Sequence, residues 1–119
     1  MIFSPALCAL VLNGRKVMTR RRTTHRNGRG IAYRRGGVYS IQPGRGKRHA
    51  GHIKVTSVRH EPLRMLTSFD ARAEGFEDRR EFYAYWQKLY GGINKDEIVT
   101  VIRFERAPPC DACAPLEGT

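Results

Sequence analysis

The residues able to do chemistry gather in the first half of the chain. Residues 1–60 hold fourteen Lys or Arg and no Asp or Glu, whereas all eleven acids lie from Glu61 onward beside eight basic residues. The formal net charge is +11. A field this one-sided raises the local concentration of polyanions and speeds their capture. Arg15, Arg20, Arg21, Arg22, Arg26, Arg29, Arg34, Arg35, Arg45, Lys47 and Arg48 supply cations for phosphate, and Tyr33 and Tyr39, interleaved with them, supply rings on which bases can stack. Tyr39 equally suits packing within a strand. The expected partner is RNA, another single-stranded nucleic acid or a nucleoside. A merely solubilising surface would intersperse both signs. A membrane surface is disfavoured, because the charge sits in Gly-rich segments rather than along an amphipathic helix.

Other constellations carry less. Cys110 and Cys113 form a C-x-x-C, but a structural zinc site wants four ligands and no second pair stands at a suitable spacing. Cys8 fits a helix core, and three cysteines give no disulfide framework, which points to a reducing, cytoplasmic setting. His49 and His52 lie three apart in a basic, Gly-rich stretch without a nearby carboxylate, so solvent or phosphate suits them better than metal. The stretch Gly44-Arg45-Gly46-Lys47-Arg48 is not a phosphate-binding P-loop, since the first glycine is out of place and Arg48 stands where Ser or Thr is needed. No metal or cofactor is expected.

The elements that must position these residues read as one small α+β domain. A chain of 119 residues is long enough for one core and not for two. Ser4-Pro5 opens a helix, with Leu7, Leu10 and Val11 as its apolar stripe and Gly14 as its stop. This apolar opening lacks the basic flank and cleavage site of a signal peptide and is too short to span a bilayer. Residues 16–21 alternate as a strand, residues 22–37 read as a long mobile loop, and residues 38–42 and 52–58 read as strands, with Pro62 breaking the pattern. Asp78 caps a helix whose buried stripe is Phe82, Tyr85, Trp86 and Leu89, ended by Gly91-Gly92. Residues 98–104 are a continuous apolar run, expected of a central strand. The tail, residues 107–119, is Pro-rich and expected to be disordered. Several short strands with two or three helices imply a mostly antiparallel sheet, and closing it into a barrel would remove its edges. A monomer is the expected state.

The stretch Gly14-Arg15-Lys16-Val17-Met18-Thr19-Arg20-Arg21 resembles the G-x-K-x-x-(E/T)-x-R motif of the ASCH superfamily, through Gly14, Lys16, Thr19 and Arg21. Gly37-Val38-Tyr39, Glu74-Gly75-Phe76, Glu81-Phe82 with Trp86 and Tyr90, and the run from Val99 to Phe104 are also similar to that family. The resemblance covers roughly residues 3–106. It implies a PUA-like β-barrel flanked by two or three helices and an association with RNA. The Thr form of the motif looks like the bacterial acetylcytidine amidohydrolases, which implies catalytic roles for Lys16, Thr19 and Glu74. A metal-independent ribonuclease using the same cleft is a further implication. Residues 22–37 are longer and more basic than the matching loop of the compact amidohydrolases, and the Pro/Cys tail has no counterpart in them.

Those residue types suit the implied chemistry. Thr19 can supply a hydroxyl nucleophile, and a buried Lys16 beside Arg15, Arg20 and Arg21 would favour its neutral amine, hence a base. Glu74 can orient that lysine or protonate the leaving nitrogen. Lys16 is equally a phosphate contact, Thr19 a good strand former, and Glu74 a surface carboxylate near a helix start. In a regular strand Lys16 and Thr19 would point to opposite faces, so a bend or bulge is required to bring both into one cleft.

Overall fold

The computed structural model describes residues 1–23 and 33–107. Three helices and a four-stranded antiparallel sheet make up this region, in the order α1 (Pro5–Leu12), β1 (Met18–Arg22), β2 (Val38–Ile41), β3 (Gly51–Pro62), α2 (Ser68–Ala73), α3 (Arg79–Tyr90) and β4 (Ile98–Ala107). A short 3-10 turn, Leu63–Met65, joins β3 to α2. Arg26, Arg29, Cys110 and Cys113 lie outside the described residues, as do most of the loop and of the tail delimited from sequence. Ala107, assigned to that tail, is the last residue of β4.

The strand order is β1-β4-β3-β2, which puts the most apolar strand in the interior of the sheet. Val99, Val101, Ile102 and Phe104 of β4 are all buried. β3 is long enough to pair with two partners, β2 near its start and β4 along nearly its whole length, with a register irregularity between Val55 and Ser57. Pro62 does not interrupt this ladder early. It is the final strand residue, opposite Ile98, where the missing N–H removes no interior bond.

Among the described residues the sheet is open rather than the closed barrel expected. Its edges are instead linked by the N-terminal segment. Ile2 makes a parallel bridge with Gln42, just past β2, while its carbonyl accepts from Arg21 Nη2 on β1 at 2.8 Å. Phe3, between them, is buried against Phe104 at 6.2 Å between ring centroids.

The helices follow their local signals. The Ser4 hydroxyl accepts from Leu7 N with Pro5 at the first helical turn, and Gly14, with φ 84°, releases the chain toward β1. Asp78 accepts from Glu81 N, and Gly91 closes α3 in the left-handed conformation at φ 81°. Phe82 and Trp86 are buried and Tyr85 is half-buried, but Leu89, expected in the same stripe, is 55% exposed. It lines the cleft near the helix end, where none of the described elements covers it. The sequence reading has no helix at 68–73, although Thr67 and Asp70 form a reciprocal capping box there. Among the described residues no helix is long and apolar enough to cross a membrane.

Candidate functional site

The motif lysine is not in the strand. β1 begins at Met18; Val17 N donates to Ala73 O of α2 at 2.8 Å, while Val17 O still accepts from Phe104 N of β4 at 2.9 Å. Lys16 and Thr19 line one cleft with β1 in regular register, so the departure from a regular strand that the parity conflict requires lies ahead of Met18 rather than in a bulge of β1. Lys16, Thr19, Arg20 and Glu74 are all buried polar residues. Their burial is what makes each contact count, because charges removed from water must be met by partners.

Glu74 sits at the C-terminal cap of α2, and its carboxylate is shared. Oε1 accepts from Lys16 Nζ at 3.3 Å and Oε2 from Arg20 Nη1 at 3.1 Å. Lys16 Nζ also donates to Glu74 O at 2.7 Å and Met18 O at 2.8 Å. Three acceptors therefore meet the three N–H groups that an ammonium carries. Burial nevertheless pushes Lys16 below the ordinary lysine range. Glu74 opposes this, while Arg21 and Arg20 add to it. Arg15, expected to contribute, instead lies exposed and 3.5 Å from Glu77.

The cleft above this floor has a volume of about 440 Å³. Six aromatic residues, Phe3, Phe76, Phe82, Tyr85, Trp86 and Tyr90, line it. Phe76 and Tyr85 are 5.2 Å apart and Trp86 and Tyr90 4.5 Å apart, so the rings brace one another. Lys16 Nζ lies 5.6 Å from the Phe3 ring centre and the Arg21 guanidinium 5.2 Å from it. Trp86 Nε1 is buried with no hydrogen-bond partner among the described residues.

The remaining arginines divide. Arg20 is turned inward, and Arg21 reaches the cleft. Arg22 packs over Tyr90 at 4.5 Å with its Nε 3.0 Å from Glu97 Oε2, a close ion pair not aligned as a hydrogen bond. Arg34, Arg35, Arg45, Lys47 and Arg48 are exposed, and among the described residues they form no ion pair. Of this basic set, Arg20 and Arg21 line the cleft, where Pro43 and Gly44 bring one basic loop to its edge. Tyr33 and Tyr39 pack edge to face at 4.9 Å, both half-buried against the core, and the Tyr39 hydroxyl accepts from Arg34 N at 2.8 Å. His52 belongs to β3 and is buried, with His49 5.2 Å away.

Sequence reasoning missed the aromatic walls and the carboxylates behind the floor, Asp70 and Glu61. The capping box at Thr67 and Asp70 was the available signal, since placing α2 there also places Glu74 at its end.

An ASCH domain family model matches residues 1–106. No curated protein sequence matches the chain. Among solved structures, a protein of Enterococcus faecalis V583 superposes with a TM-score of 0.66 at 21% identity, covering 86% of this chain and 70% of its own. The ASCH domain of Lactobacillus crispatus JV V101 gives 0.65 at 18% identity, covering 85% and 70%. A tyrosine-to-phenylalanine variant of the Zymomonas mobilis ASCH protein gives 0.62 at 16%, covering 91% and 68%. At these identities the likeness is one of fold. With the family model spanning nearly all of the described region, the chain belongs to the ASCH domain family, which is associated with RNA binding.

Proposed function

We propose that the cleft binds a single uncharged nucleobase or nucleoside, free or at an unpaired position of single-stranded RNA, while the exposed basic loops hold phosphates outside it. The observation that carries this reading is a neutralised floor inside aromatic walls. Lys16 and Arg20 are already paired with Glu74, and Arg20 also with Asp70 and Glu61, which leaves Arg21 as the cleft cation without a carboxylate partner among the described residues, its Nη2 donating to Ile2 O. The rings offer apolar and π surface to a base, and a cleft of about 440 Å³ falls within the usual range of ligand pockets. Equilibrium dialysis with cytidine, acetylcytidine and their 5′-monophosphates tests this. The nucleosides should bind at least as well as the monophosphates. Retention of monophosphates alone would overturn it.

A second reading, hydrolysis of the acetyl amide of acetylcytidine, is favoured by one observation: Lys16, Thr19 and Glu74 line the same cleft and Lys16 is pushed toward its neutral form. In that reading the Thr19 hydroxyl attacks the acetyl carbon and Lys16 accepts its proton. The proton passes to the departing cytidine nitrogen, Glu74 orients Lys16 throughout, and water then cleaves the threonine ester to acetate. Lys16 must release one of its three hydrogen bonds to act as the base. Lys16→Ala and Thr19→Ala should each remove orders of magnitude in acetate release, with the double variant little worse than either. A wild-type protein that binds the nucleoside and releases no acetate would end this reading and leave the first.

A further inference from the structure

The charges at the cleft floor continue outward through Arg20. Its Nη1 lies 3.1 Å from Glu74 Oε2, and its Nη2 lies 3.1 Å from Asp70 Oδ2 and 3.5 Å from Glu61 Oε1. The side chain has no exposed surface, and Nη1 also lies 3.2 Å from Met18 Sδ. Asp70 and Glu74 are four residues apart, one turn of helix, so the two ends of one guanidinium grip the same side of α2. Asp70 is at the same time the capping-box residue that starts this helix, and Glu74 is the cap that ends it. A helix of six residues is too short to persist alone, so its placement depends on what holds it. Farther out, Arg59 Nε donates to Glu61 Oε1 at 2.7 Å, and Arg59 Nη2 lies 3.9 Å from Asp70 Oδ2. The signs alternate from half-exposed Arg59 through Glu61 and Asp70 to Arg20, Glu74 and buried Lys16.

Arg20 is not a motif position; the family pattern falls on Gly14, Lys16, Thr19 and Arg21. We propose that Arg20 is a positioning residue, which clamps Asp70 and Glu74 of α2 so that the Glu74 carboxylate is presented to Lys16 at the floor of the cleft. Its planar fork suits the task, because it can meet carboxylates from two directions while carrying a fixed charge. It acts through Glu74, and its own charge tells on Lys16 directly. Lys16 is faced by Glu74 from the end of α2, by Arg20 and Arg21 from β1 and by Phe3 from the N-terminal segment, while Tyr85 of α3 faces Arg21 and Glu74. The inference rests on the cleft being the binding site, but its decisive measurement needs no ligand.

That measurement is the titration midpoint of Lys16, followed by side-chain NMR in protein labelled with 15N-lysine and assigned with Lys16→Met. Arg20→Met frees the Glu74 carboxylate from its clamp, and since Glu74 raises Lys16 more than Arg20 lowers it, the midpoint should fall. Asp70→Asn and Glu61→Gln loosen the outer side of the same clamp and should each lower it, by less. Loosened packing would instead send every variant up toward the ordinary lysine range, so a downward shift separates positioning from mere structure. If Arg20→Met does not fold, the downward shifts at Asp70 and Glu61 carry the test. An unchanged or raised midpoint in folded Arg20→Met, or a raised one in Asp70→Asn or Glu61→Gln, overturns the proposal. Folded Arg20→Met should also lose at least tenfold in nucleoside affinity; unaltered affinity overturns it too. A wild type that binds no nucleoside would defeat the functional reading alone, with the midpoints still deciding this one.

Discussion

Arg20 and Arg45 come from the same basic half of the chain, and the fold sends them to opposite environments. Arg20 is sealed beneath the cleft with Glu74, Asp70 and Glu61 around it, whereas Arg45 stands exposed at the turn after β2 and has no ion pair among the described residues. In the first place a cation is an internal fastener whose removal strands several carboxylates. In the second its charge is available to a ligand and is nearly irrelevant to the fold. Clustered arginines therefore need not form one surface. The acids of the second half are folded back onto some of them, and among the described residues Arg34, Arg35, Arg45 and Arg48, which they miss, stay exposed to solvent.

The largest effect expected from this contrast is on stability. Arg20→Met should cost about 3–5 kcal/mol in urea denaturation, because a buried partner is removed and its counter-charges stay. Arg45→Ala and Arg48→Ala should each stay within about 0.5 kcal/mol of wild type. Equal losses at the buried and exposed positions would erase the distinction.

Next comes the salt dependence of binding. Replacing Arg34, Arg35, Arg45 and Arg48 together by Ala should flatten the logarithmic salt slope for single-stranded RNA, by roughly 0.7 for each phosphate that is no longer neutralised. Binding of the free nucleoside should persist in that variant. A parallel loss of both would mean that loops and cleft are not separable.

Smaller, and specific to the floor, is a pH effect. Lys16 has a lowered value in the folded protein, so the unfolded chain binds more protons between that value and the ordinary lysine range, and stability rises with pH through this window. The stability difference between wild type and Lys16→Met should accordingly move in favour of wild type from neutral to alkaline pH. A flat difference would place Lys16 in an ordinary, unshifted state. Least of all, Arg15→Ala should change stability by no more than a few tenths of a kcal/mol, since its pair with Glu77 is long and largely exposed. Arg15 and Arg20 thus bracket the same motif lysine with the smallest and the largest expected effects.

Local signals in the sequence determined the outline of this protein. The caps at Ser4 and Asp78, the glycines that end α1 and α3, the apolar run that became the interior strand β4 and the Gly-Lys-Thr-Arg motif are all short-range patterns, and such patterns act within a turn or two of the chain. The same is true of the charge imbalance between the two halves, which is a property of composition. Only the tertiary structure decided what joins Lys16 to Glu74, 58 residues away, and Arg20 to Asp70, 50 residues away. No spacing rule ties such pairs together, because their meeting depends on how α2 docks beside β1. Tertiary packing likewise turned Arg20 inward, left Leu89 exposed and made cleft walls of aromatic residues, of which Phe82, Tyr85 and Trp86 read in sequence only as a helix stripe. It also linked the sheet edges through the N-terminal segment in place of a closed barrel. Burial was the deciding variable throughout, since it converts an arginine from a solvated charge into one that must be paired, and burial is fixed by the whole fold.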